Sequence, residues 1–502
     1  MLLIKMNNQD FSQAQRQSWR GLILFFSISL KNIIKALWPA IILLLLKQNS
    51  LDDSQLYLIW FAIAFLFLLI VANTVMYFMN FYFYIKESEL IIEKGFFKKV
   101  KIIIPLDKIQ SINTKQSILQ QLLKVVSLEI DTAGSSQKEA KFISLNRETA
   151  ERLQGLLSEY KGSKYETPES QLSESSIHEK TILKLNFWDL FKIGLSENHL
   201  KSLLVIYLFL SGIYQQLKDL FSNRIEDATN QAGGILENSG AVFITVLLII
   251  SLLLLIAFSV FMVILRYYNL QFTRQENAFL LKSGLLNKKD ILLPYSKIQL
   301  ISWNSNPIRK LMDFVSVHIT QASNIDLNKK QAIIIPGCNK THLERIKNEI
   351  FINLQDESWT THKSHNMFFI RLWVIRIFIL SIPLILIIPD YWETYIFVCF
   401  WIIISGVFTY FSYKKRFLKI SKNYLQISKG CIGKEFSMMS NYKVQMLKLN
   451  QNFFQKRRKT ATVTIYTSGS KKLIIPYLQE NIAYDLYNYL LFVTESTERN
   501  WM

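Results

Sequence analysis

The sequence predicts a membrane protein made of six transmembrane α-helices in three pairs and three small β-barrels, each closed by a C-terminal α-helix. Three observations lead to this fold class: apolar blocks long enough to cross a bilayer, a motif that occurs three times, and basic residues gathered between the blocks. Half of the 502 residues are hydrophobic (50%), and the net charge is +20. Such a charge suits nucleic acid or an anionic membrane surface, and the apolar blocks favour the membrane.

Six apolar blocks are candidate membrane spans, and they occur in pairs. They lie at residues 21–46, which include Lys31 and Lys35, and at residues 56–78, 202–213, 241–265, 367–388 and 395–411. Arg371 and Arg376 lie near the start of the fifth block, from where long side chains can reach the membrane interface. The first block is less regular. Either the span starts near residue 21, or an interfacial amphipathic helix over residues 18–31 precedes a short span that starts near residue 36.

Charge predicts the orientation of the spans. The connector inside each pair carries no excess of positive charge, whereas the segments between pairs are rich in Lys and Arg. Lys414, Lys415 and Arg416 directly follow the last span. Because basic residues close to a span stay on the cytoplasmic side, the sequence predicts a multi-pass protein of the bacterial cell membrane with both termini and all long segments in the cytoplasm.

An eight-residue motif occurs three times, as "PLDKIQSI" from Pro105, "PYSKIQLI" from Pro294 and, less similar, "SNYKVQML" from Ser440. In every copy the glutamine of the motif lies 15 residues after a glycine and 23 residues before a small residue that ends a strand-like run. The three glycines are Gly95, Gly284 and Gly430. Since two equal gaps recur in three copies, the sequence predicts one domain repeated three times.

Each copy has the same succession of elements. Short runs such as "VVSLEIDTA" and "TATVTIYTS" alternate with a period of two, which predicts about seven strands in each copy. One amphipathic helix follows, with apolar residues at i, i+3 and i+7. These residues are Ala150, Leu153 and Leu157; Leu343, Ile346 and Ile350; and Ala483, Leu486 and Leu490. "THLE" from Thr341 predicts a capping box for the second helix. The pattern is typical of a small barrel plugged by a helix.

Two transmembrane helices followed by this glycine-to-motif unit resemble the bacterial pleckstrin-homology-like (PH-like) multi-pass membrane proteins, and three such units resemble the YdbT-like branch. The resemblance covers nearly the whole chain and implies a PH-like fold for each copy. The chain departs from the pattern at Ser440, where proline is expected. It also departs at the small turn residue expected before the fifth strand, which is Lys124, Asp313 or Lys459 here.

These patterns predict the domain boundaries. We expect an N-terminal interfacial segment with transmembrane pair 1 (1–81), PH-like domain 1 (82–165), a linker and interfacial segment (166–199), transmembrane pair 2 (200–267), PH-like domain 2 (268–356), transmembrane pair 3 (357–413) and PH-like domain 3 (414–502). In the linker, Phe187, Trp188 and Phe191 are predicted to lie on the lipid side.

The repeated motif has two interpretations. A functional one makes Lys108, Lys297 and Lys443 ligand contacts. A structural one makes the motif the start of a strand, with its glutamine satisfying backbone groups in a turn or bulge. The structural interpretation is favoured, because a folding signature is more readily kept in triplicate than a catalytic apparatus. Proline suits the start of a strand, and the anchoring glycines suit positions of positive φ.

Basic residues are the candidate binding residues. In eukaryotic PH domains a loop in the region after the anchoring glycine contacts phosphoinositide headgroups, so the resemblance implies lipid or partner contacts at Lys98, Lys99, Lys288 and Lys289. The third copy also contains "QKRRK", and residues 414–493 hold 15 basic and three acidic residues. The basic residues of that run are Lys456, Arg457, Arg458 and Lys459. They predict contact with anionic headgroups, and the alternative is a solvated surface loop.

The sequence predicts no enzyme, no cofactor, no metal site and no nucleic-acid binding. His362 and His365 form an H-x-x-H pair without further ligands at a suitable spacing. The predicted function is a non-catalytic integral membrane scaffold, which presents three cytoplasmic PH-like domains to anionic lipid or to a protein such as another PH-like membrane protein. The alternative is an accessory subunit of a membrane export or transport complex. Four blocks lack charged residues and histidine, which argues against a transporter itself.

Overall fold

The computed structural model describes residues 11–31, 35, 53–96, 99–132, 140–162, 180–197, 249–250, 252–322, 332–387, 392–468 and 471–496. These residues form three β-rich domains, and apolar helices lie between the first and the second strand of each domain. The α-helices are α1 (Gly21–Lys31), α2 (Asp53–Met79), α3 (Ile118–Leu122), α4 (Arg147–Gly162), α5 (Phe187–Leu195), α6 (Leu252–Tyr267), α7 (Pro307–Leu311), α8 (Lys340–Ile350), α9 (Met367–Ile387), α10 (Trp392–Lys414), α11 (Phe453–Arg457) and α12 (Glu480–Ser496).

Each domain contains seven described strands, all in antiparallel pairs. The first domain has β1 (Gln15–Arg16), β2 (Tyr82–Lys86), β3 (Glu89–Lys94), β4 (Val100–Pro105), β5 (Ile109–Gln116), β6 (Val125–Thr132) and β7 (Ala140–Asn146). The second has β8 (Lys180–Lys184), β9 (Gln271–Arg274), β10 (Ala278–Ser283), β11 (Lys288–Pro294), β12 (Ile298–Ser305), β13 (Val315–Gln321) and β14 (Ala332–Cys338). The third has β15 (Thr360–Lys363), β16 (Phe417–Ile420), β17 (Tyr424–Lys429), β18 (Lys434–Ser440), β19 (Val444–Asn450), β20 (Thr460–Thr467) and β21 (Lys472–Gln479).

Three helices of the described residues, α2, α9 and α10, are long and apolar enough to cross a membrane. They coincide with the predicted blocks at 56–78, 367–388 and 395–411, whose helical structure is therefore confirmed. Helix α6 covers most of the block at 241–265, and α1 covers part of the region predicted as an interfacial helix. The predicted spans at 36–46 and 202–213 lie outside the described residues.

Helices α9 and α10 form a hairpin held by side-chain hydrogen bonds. Arg376 donates to the Thr409 hydroxyl at 3.0 Å, and Trp373 Nε1 donates to the carbonyl of Ile402 at 3.1 Å. Arg376 thus has a polar partner inside the helix pair, and its predicted reach to the membrane interface stays a prediction. Arg371 does extend to the third domain, where it donates to the Tyr477 hydroxyl at 3.0 Å.

Each domain consists of two sheets. The first four strands form the N-sheet and the last three form the C-sheet. Apolar residues of both sheets and of the C-terminal helix meet in one buried cluster in each domain. The predicted apolar stripes of α4, α8 and α12 face these clusters. Within each domain the described strands of the N-sheet are not paired with those of the C-sheet, and the C-terminal helix packs against the cluster that the two sheets share. Closure of these sheets into the predicted barrel stays a prediction.

The first strand of each domain comes from the chain before the apolar helices. β1, β8 and β15 add to the edges of β2, β9 and β16, which follow the membrane helices. β8 lies within the segment predicted as a linker, and β15 lies within the segment assigned to the third transmembrane pair. The structural unit therefore begins before its membrane helices and ends with the C-terminal helix.

The second C-terminal helix begins earlier than predicted. Its N-cap is Asn339, whose side chain accepts a hydrogen bond from the backbone N–H of His342 at 2.8 Å. Thr341, which we predicted to open a capping box, lies inside the first turn and donates to the Asn339 side chain at 2.7 Å. Asn is as good an N-cap as Ser or Thr, so the local pattern alone does not identify the first residue.

The sheets continue from one domain into the next. β5 of the first domain pairs with β11 of the second, and β12 of the second pairs with β18 of the third. We call these strand pairs the first and the second interdomain junction. At the second junction Trp303 stacks on Phe436 with ring centroids 5.3 Å apart, and the hydroxyls of Ser302 and Ser437 lie 3.0 Å apart. The described part of the chain therefore contains two continuous seven-stranded sheets, each shared by two domains.

Candidate functional site

The repeated motif forms the corner between the two sheets of each domain. Its first half is a short 3-10 helix, at Leu106–Lys108, Tyr295–Lys297 or Asn441–Lys443, and its second half begins the first strand of the C-sheet. The register with the next strand shifts at the motif glutamine in every copy, between Ile109 and Ser111, Ile298 and Leu300, or Val444 and Met446. This bulge at the glutamine agrees with the structural interpretation of the motif.

The motif lysine lies in a different environment in each copy. Lys443 of the third domain is buried and donates hydrogen bonds to the carbonyls of Ser296 at 3.1 Å and Ile298 at 2.6 Å, which belong to the motif of the second domain. Lys297 of the second domain is buried as well, whereas Lys108 of the first domain is exposed. The motif lysine is therefore a contact between neighbouring domains at the second junction, a role that neither interpretation of the sequence included.

The second junction should respond to pH. Burial lowers the pKa of Lys443 to about 8 from its ordinary value of 10.5. Between these two pH values the unfolded chain holds a proton that the folded chain has lost, so the free energy of unfolding should rise with pH across that window. We expect Lys443→Met to remove the rise, as measured by denaturant unfolding of the third domain in a pH series. Lys108→Met, at the exposed equivalent, serves as control and should keep it. An unchanged slope in Lys443→Met would contradict the assignment.

Two of the predicted binding residues lie at the first junction. Lys288 and Lys289 belong to β11, and they face Gln116 and Lys115 of the first domain across the strand pair. Burial, together with the charge of Lys115, lowers the pKa of Lys289. Lys115 itself forms an ion pair with the buried Glu129 at 2.6 Å. The carboxylate of Glu129 partly offsets the positive charge of the junction, which reduces the repulsion between the two lysines opposite each other.

The remaining residues of this first group lie at the edge of the first domain or beyond the described ranges. Lys99 is exposed and directly precedes β4, whereas Lys98 lies outside the described residues. Lys288 also lines an open cavity of about 580 Å³ between the first and second domains. The cavity has both signs of charge, with Arg147 and Lys282 as well as Glu151 and Asp290 in its lining. The structure therefore does not bring Lys99 and Lys288 together into one site.

The other four predicted residues form a compact cluster in the third domain. Lys456 and Arg457 are the last residues of α11, and Arg458 and Lys459 follow directly. All four side chains are exposed. We call Phe453, Phe454 and these four basic residues the α11 cluster, because the two phenylalanines at the start of the helix are also largely exposed.

Buried polar contacts fix the position of the α11 cluster. The side chains of Asn452 and Gln455 cap the helix reciprocally, and Gln455 also donates to the Thr462 hydroxyl of β20 at 2.7 Å. Lys459 has φ of +48°, a left-handed conformation that turns the chain from α11 into β20. The backbone N–H of Glu480 donates to the Lys459 carbonyl at 3.0 Å. The basic residues thus extend from a rigid turn and not from a flexible loop.

The α11 cluster lies on the part of its domain that also holds a membrane helix. Tyr477 of β21, three residues before Glu480, accepts a backbone hydrogen bond from His365 at 2.7 Å and packs against Phe368 at the start of α9. His362 pairs with Leu418 within the third N-sheet, and the His365 ring accepts from the backbone N–H of Met367. His365 therefore helps to dock the membrane helix on the third domain, whereas His362 is part of the N-sheet.

The first two domains have equivalent short helices near the chain segments that lead into the membrane helices. In the first, Arg20 before α1 donates to the carbonyl of Leu123 after α3 at 3.2 Å. In the second, Asn306 before α7 donates to the carbonyl of Ser196 after α5 at 2.8 Å. Exposed apolar side chains occur on all three short helices, at Ile118, Leu119 and Leu122; at Ile308 and Leu311; and at Phe453 and Phe454.

Reasoning from the sequence identified the basic part of the α11 cluster and missed its apolar part. "NFFQKRRK" contained the signal, since two adjacent phenylalanines beside four basic residues are unusual in a solvated loop. On α5, Phe187, Trp188 and Phe191 are exposed, as their predicted position on the lipid side requires, while Leu190 and Ile193 are buried against the second domain. Exposed aromatic side chains near the start of membrane helices are typical of residues at the membrane–water interface.

Comparison with known proteins identifies the repeated domain. The family model described as "Bacterial PH domain" matches three segments of the chain, at residues 33–161, 234–351 and 377–492. The chain is also 24% identical over 424 residues to the UPF0699 transmembrane protein YdbT of Bacillus subtilis (strain 168), and this similarity covers 82% of this chain and 84% of YdbT. Neither description names a catalytic activity. The three matches together span more than half of the sequence, and each contains one of the three domains. The chain therefore belongs to the bacterial PH domain family and is a transmembrane protein with three copies of the domain.

Proposed function

We propose that the protein is a non-catalytic membrane scaffold, which holds three bacterial PH domains at the cytoplasmic face of the cell membrane and binds anionic lipid headgroups through the third domain. The observation that carries this proposal is the α11 cluster, in which Phe453 and Phe454 are exposed next to four exposed basic side chains. Apolar and basic groups on one rigid turn suit the boundary between acyl chains and headgroups, which offers both kinds of partner.

The free energies expected for these residues at a membrane support lipid as the partner. Each basic residue close to an anionic leaflet contributes about 1 kcal/mol, and this attraction decays within a Debye length of about 10 Å at 0.1 M salt. A buried Phe side chain adds about 1.5–3 kcal/mol. The docking of the third domain on α9 keeps the cluster near the membrane, so the domain needs little additional free energy to remain at the surface.

Charge next to the spans supports the cytoplasmic orientation. Lys414 ends α10, and Lys415 and Arg416 follow it before β16. By the positive-inside rule this end of α10 faces the cytoplasm, together with the domain to which it leads. The cytoplasmic leaflet is also the one that carries anionic lipid, so orientation and proposed ligand agree.

A charge reversal tests the lipid proposal. The full-length protein, with a fluorophore on Phe453→Cys, would be placed in nanodiscs with or without phosphatidylglycerol that contain a headgroup-attached quencher. We expect quenching to increase with the anionic lipid. Arg457→Glu with Arg458→Glu should return it to the level of neutral discs, since about 1 kcal/mol is lost for each charge removed and repulsion is added.

The matched control is Lys422→Glu with Lys472→Glu, because both lysines are exposed in the same domain and the net charge changes equally. This control should keep most of the quenching. Equal quenching in both double variants would reject the lipid proposal and would favour a protein as the partner of the third domain.

A further inference from the structure

The two interdomain junctions have the same register. Gln116 lies opposite Lys288 at the first junction, and Ser305 lies opposite Lys434 at the second. The constant spacing of the three copies makes Ser305 the equivalent of Gln116, and Lys434 the equivalent of Lys288. Because the paired sequences differ, the shared register is a property of the domain itself and not of one particular pair of strands.

Each junction joins the same two kinds of strand. The first strand of the earlier C-sheet pairs with the last strand of the later N-sheet. Among the described residues, two strands of these kinds lie at the edge of a sheet. They are β4, the last strand of the first N-sheet, and β19, the first strand of the third C-sheet. The described part of the chain therefore carries one edge of each kind, and these two edges have the same strand types that pair at the two junctions.

Exposure distinguishes these edges from their paired equivalents. Met446 of β19 is 54% exposed, whereas its equivalent at the second junction, Leu300, is fully buried (0%). Ile103 of β4 is 49% exposed, whereas its equivalent Met438 is 1% exposed. An apolar side chain that the junction buries in one copy is thus left in solvent in the terminal copy.

The motif lysine follows the same rule. Lys443 reaches across the second junction to two carbonyls of the preceding motif, and Lys297 is also buried in the second domain. Lys108, the equivalent residue in the first domain, is exposed. The first domain is the one that no domain precedes in the described chain, so its lysine has no motif to which it can donate within the same chain.

We propose that the protein associates with a second copy of itself, with β19 of one chain pairing antiparallel with β4 of the next in the register of the two internal junctions. That register places Asn450 opposite Val100, Leu449 opposite Lys101 and Lys448 opposite Ile102. No like charges lie opposite each other in these pairs, in contrast to Lys115 and Lys289 at the first junction. Lys108 takes the place at the new junction that Lys443 has at the second.

A second copy is the occupant that the structure favours, because the edge strands match a junction that this chain already forms twice. The contact is heterologous, since β4 and β19 are different surfaces. Repetition of such a contact produces a closed ring or an open row of chains. Membrane anchoring keeps the edges of neighbouring chains at the same height, which raises their effective concentration.

Disulfide crosslinking tests the register. In full-length protein in native membranes, with Cys399 and Cys431 replaced by Ser, we would combine Val100→Cys with Asn450→Cys and add an oxidant. The proposal predicts a ladder of covalently joined chains that neither single variant gives. Lys101→Cys with Leu449→Cys, a second pair in register, should give the same ladder and covers the case in which one variant fails to fold.

The experiment has a positive and a negative control. Lys115→Cys with Lys289→Cys is the equivalent pair at the first junction and should form an intrachain disulfide, which shows that the geometry allows the reaction. Val100→Cys with Leu447→Cys is out of register by three residues, or about 10 Å along a strand, and should crosslink roughly tenfold less because a disulfide needs Cα atoms within about 7 Å.

The outcomes are distinct. A ladder from both pairs in register, with little from the displaced pair, supports the proposal. Crosslinking of Asn450→Cys to a different membrane protein, without a ladder, would overturn it in favour of another PH-like partner. An internal disulfide at the first junction without any interchain product would also overturn it. Lys108→Met should lower the yield of the ladder, and an unchanged yield would refute the role assigned to this lysine.

Discussion

Replacement of Leu300 by alanine is expected to destabilise the third domain by about 2–5 kcal/mol, although Leu300 belongs to the second. Leu300 is fully buried in the apolar cluster that otherwise consists of third-domain residues, among them Leu425 and Ile465. Truncation removes its transfer free energy and leaves a cavity that the surrounding strands fill only partly. The loss falls on the third domain because the side chain completes the core of that domain across the second junction.

Hydrogen exchange of the full-length protein measures this effect by domain. Amides of β17 and β20 should lose protection in Leu300→Ala, while those of β6 in the first domain should not change. Met446→Ala is the matched control, since Met446 is the equivalent residue and is 54% exposed on β19. It should cost less than about 1 kcal/mol, as truncation of an exposed side chain creates no cavity. Equal effects of the two variants would show that Leu300 does not complete the core of the third domain.

Gly284→Ala is expected to destabilise the second domain by at least about 1–3 kcal/mol, the cost of the backbone conformation alone. Gly284 has φ of +103°, and a Cβ at this position would lie 2.2 Å from the carbonyl oxygen of Asn287. The backbone N–H of Gly284 donates to the carbonyl of Tyr268 at 2.9 Å, so the turn cannot shift without loss of this bond. Since the turn leads into β11, the strain should also weaken the first junction.

Thermal or denaturant unfolding of the second domain measures the cost of Gly284→Ala. Gly155→Ala is a suitable control, because Gly155 lies within α4 and a Cβ there meets nothing within 4 Å. This control should stabilise the first domain by about 0.5–1 kcal/mol, the advantage of Ala over Gly in a helix. Two substitutions of the same chemistry should thus have opposite signs, and a neutral Gly284→Ala would contradict the strained turn.

Features that repeat locally could be predicted from the sequence. The anchoring glycines do have positive φ, at +98°, +103° and +151° for Gly95, Gly284 and Gly430. Lys124 and Asp313 also have left-handed φ, both +54°, at the turn where a small residue was expected. The backbone therefore keeps the turn even where the residue type departs from the pattern, and the surrounding strands compensate for a cost of about 1–3 kcal/mol at each such position.

Pairing between distant strands could not be predicted in the same way. Period-two alternation shows which face of a strand is buried, but not which edge meets which partner. β15, with the sequence "TTHK", has no apolar alternation, and its partner β16 follows only after two membrane helices. β18 contains one sequence feature that fits its central position. Its consecutive Met438 and Met439 are both buried, as expected for a strand with neighbours on both faces and both edges.

The short strands that precede the membrane helices impose a parity rule on the topology. β1 and β2 are hydrogen-bonded neighbours, so Arg16 and Tyr82 lie on the same side of the bilayer, and the chain between them must cross an even number of times. The same holds between β8 and β9 and between β15 and β16, and the shared sheets place all three domains in one compartment. With an odd number of crossings in any of these intervals, the two paired strands would lie on opposite sides of the membrane and could not form their hydrogen bonds. This constraint does not depend on where lysine and arginine lie in the sequence.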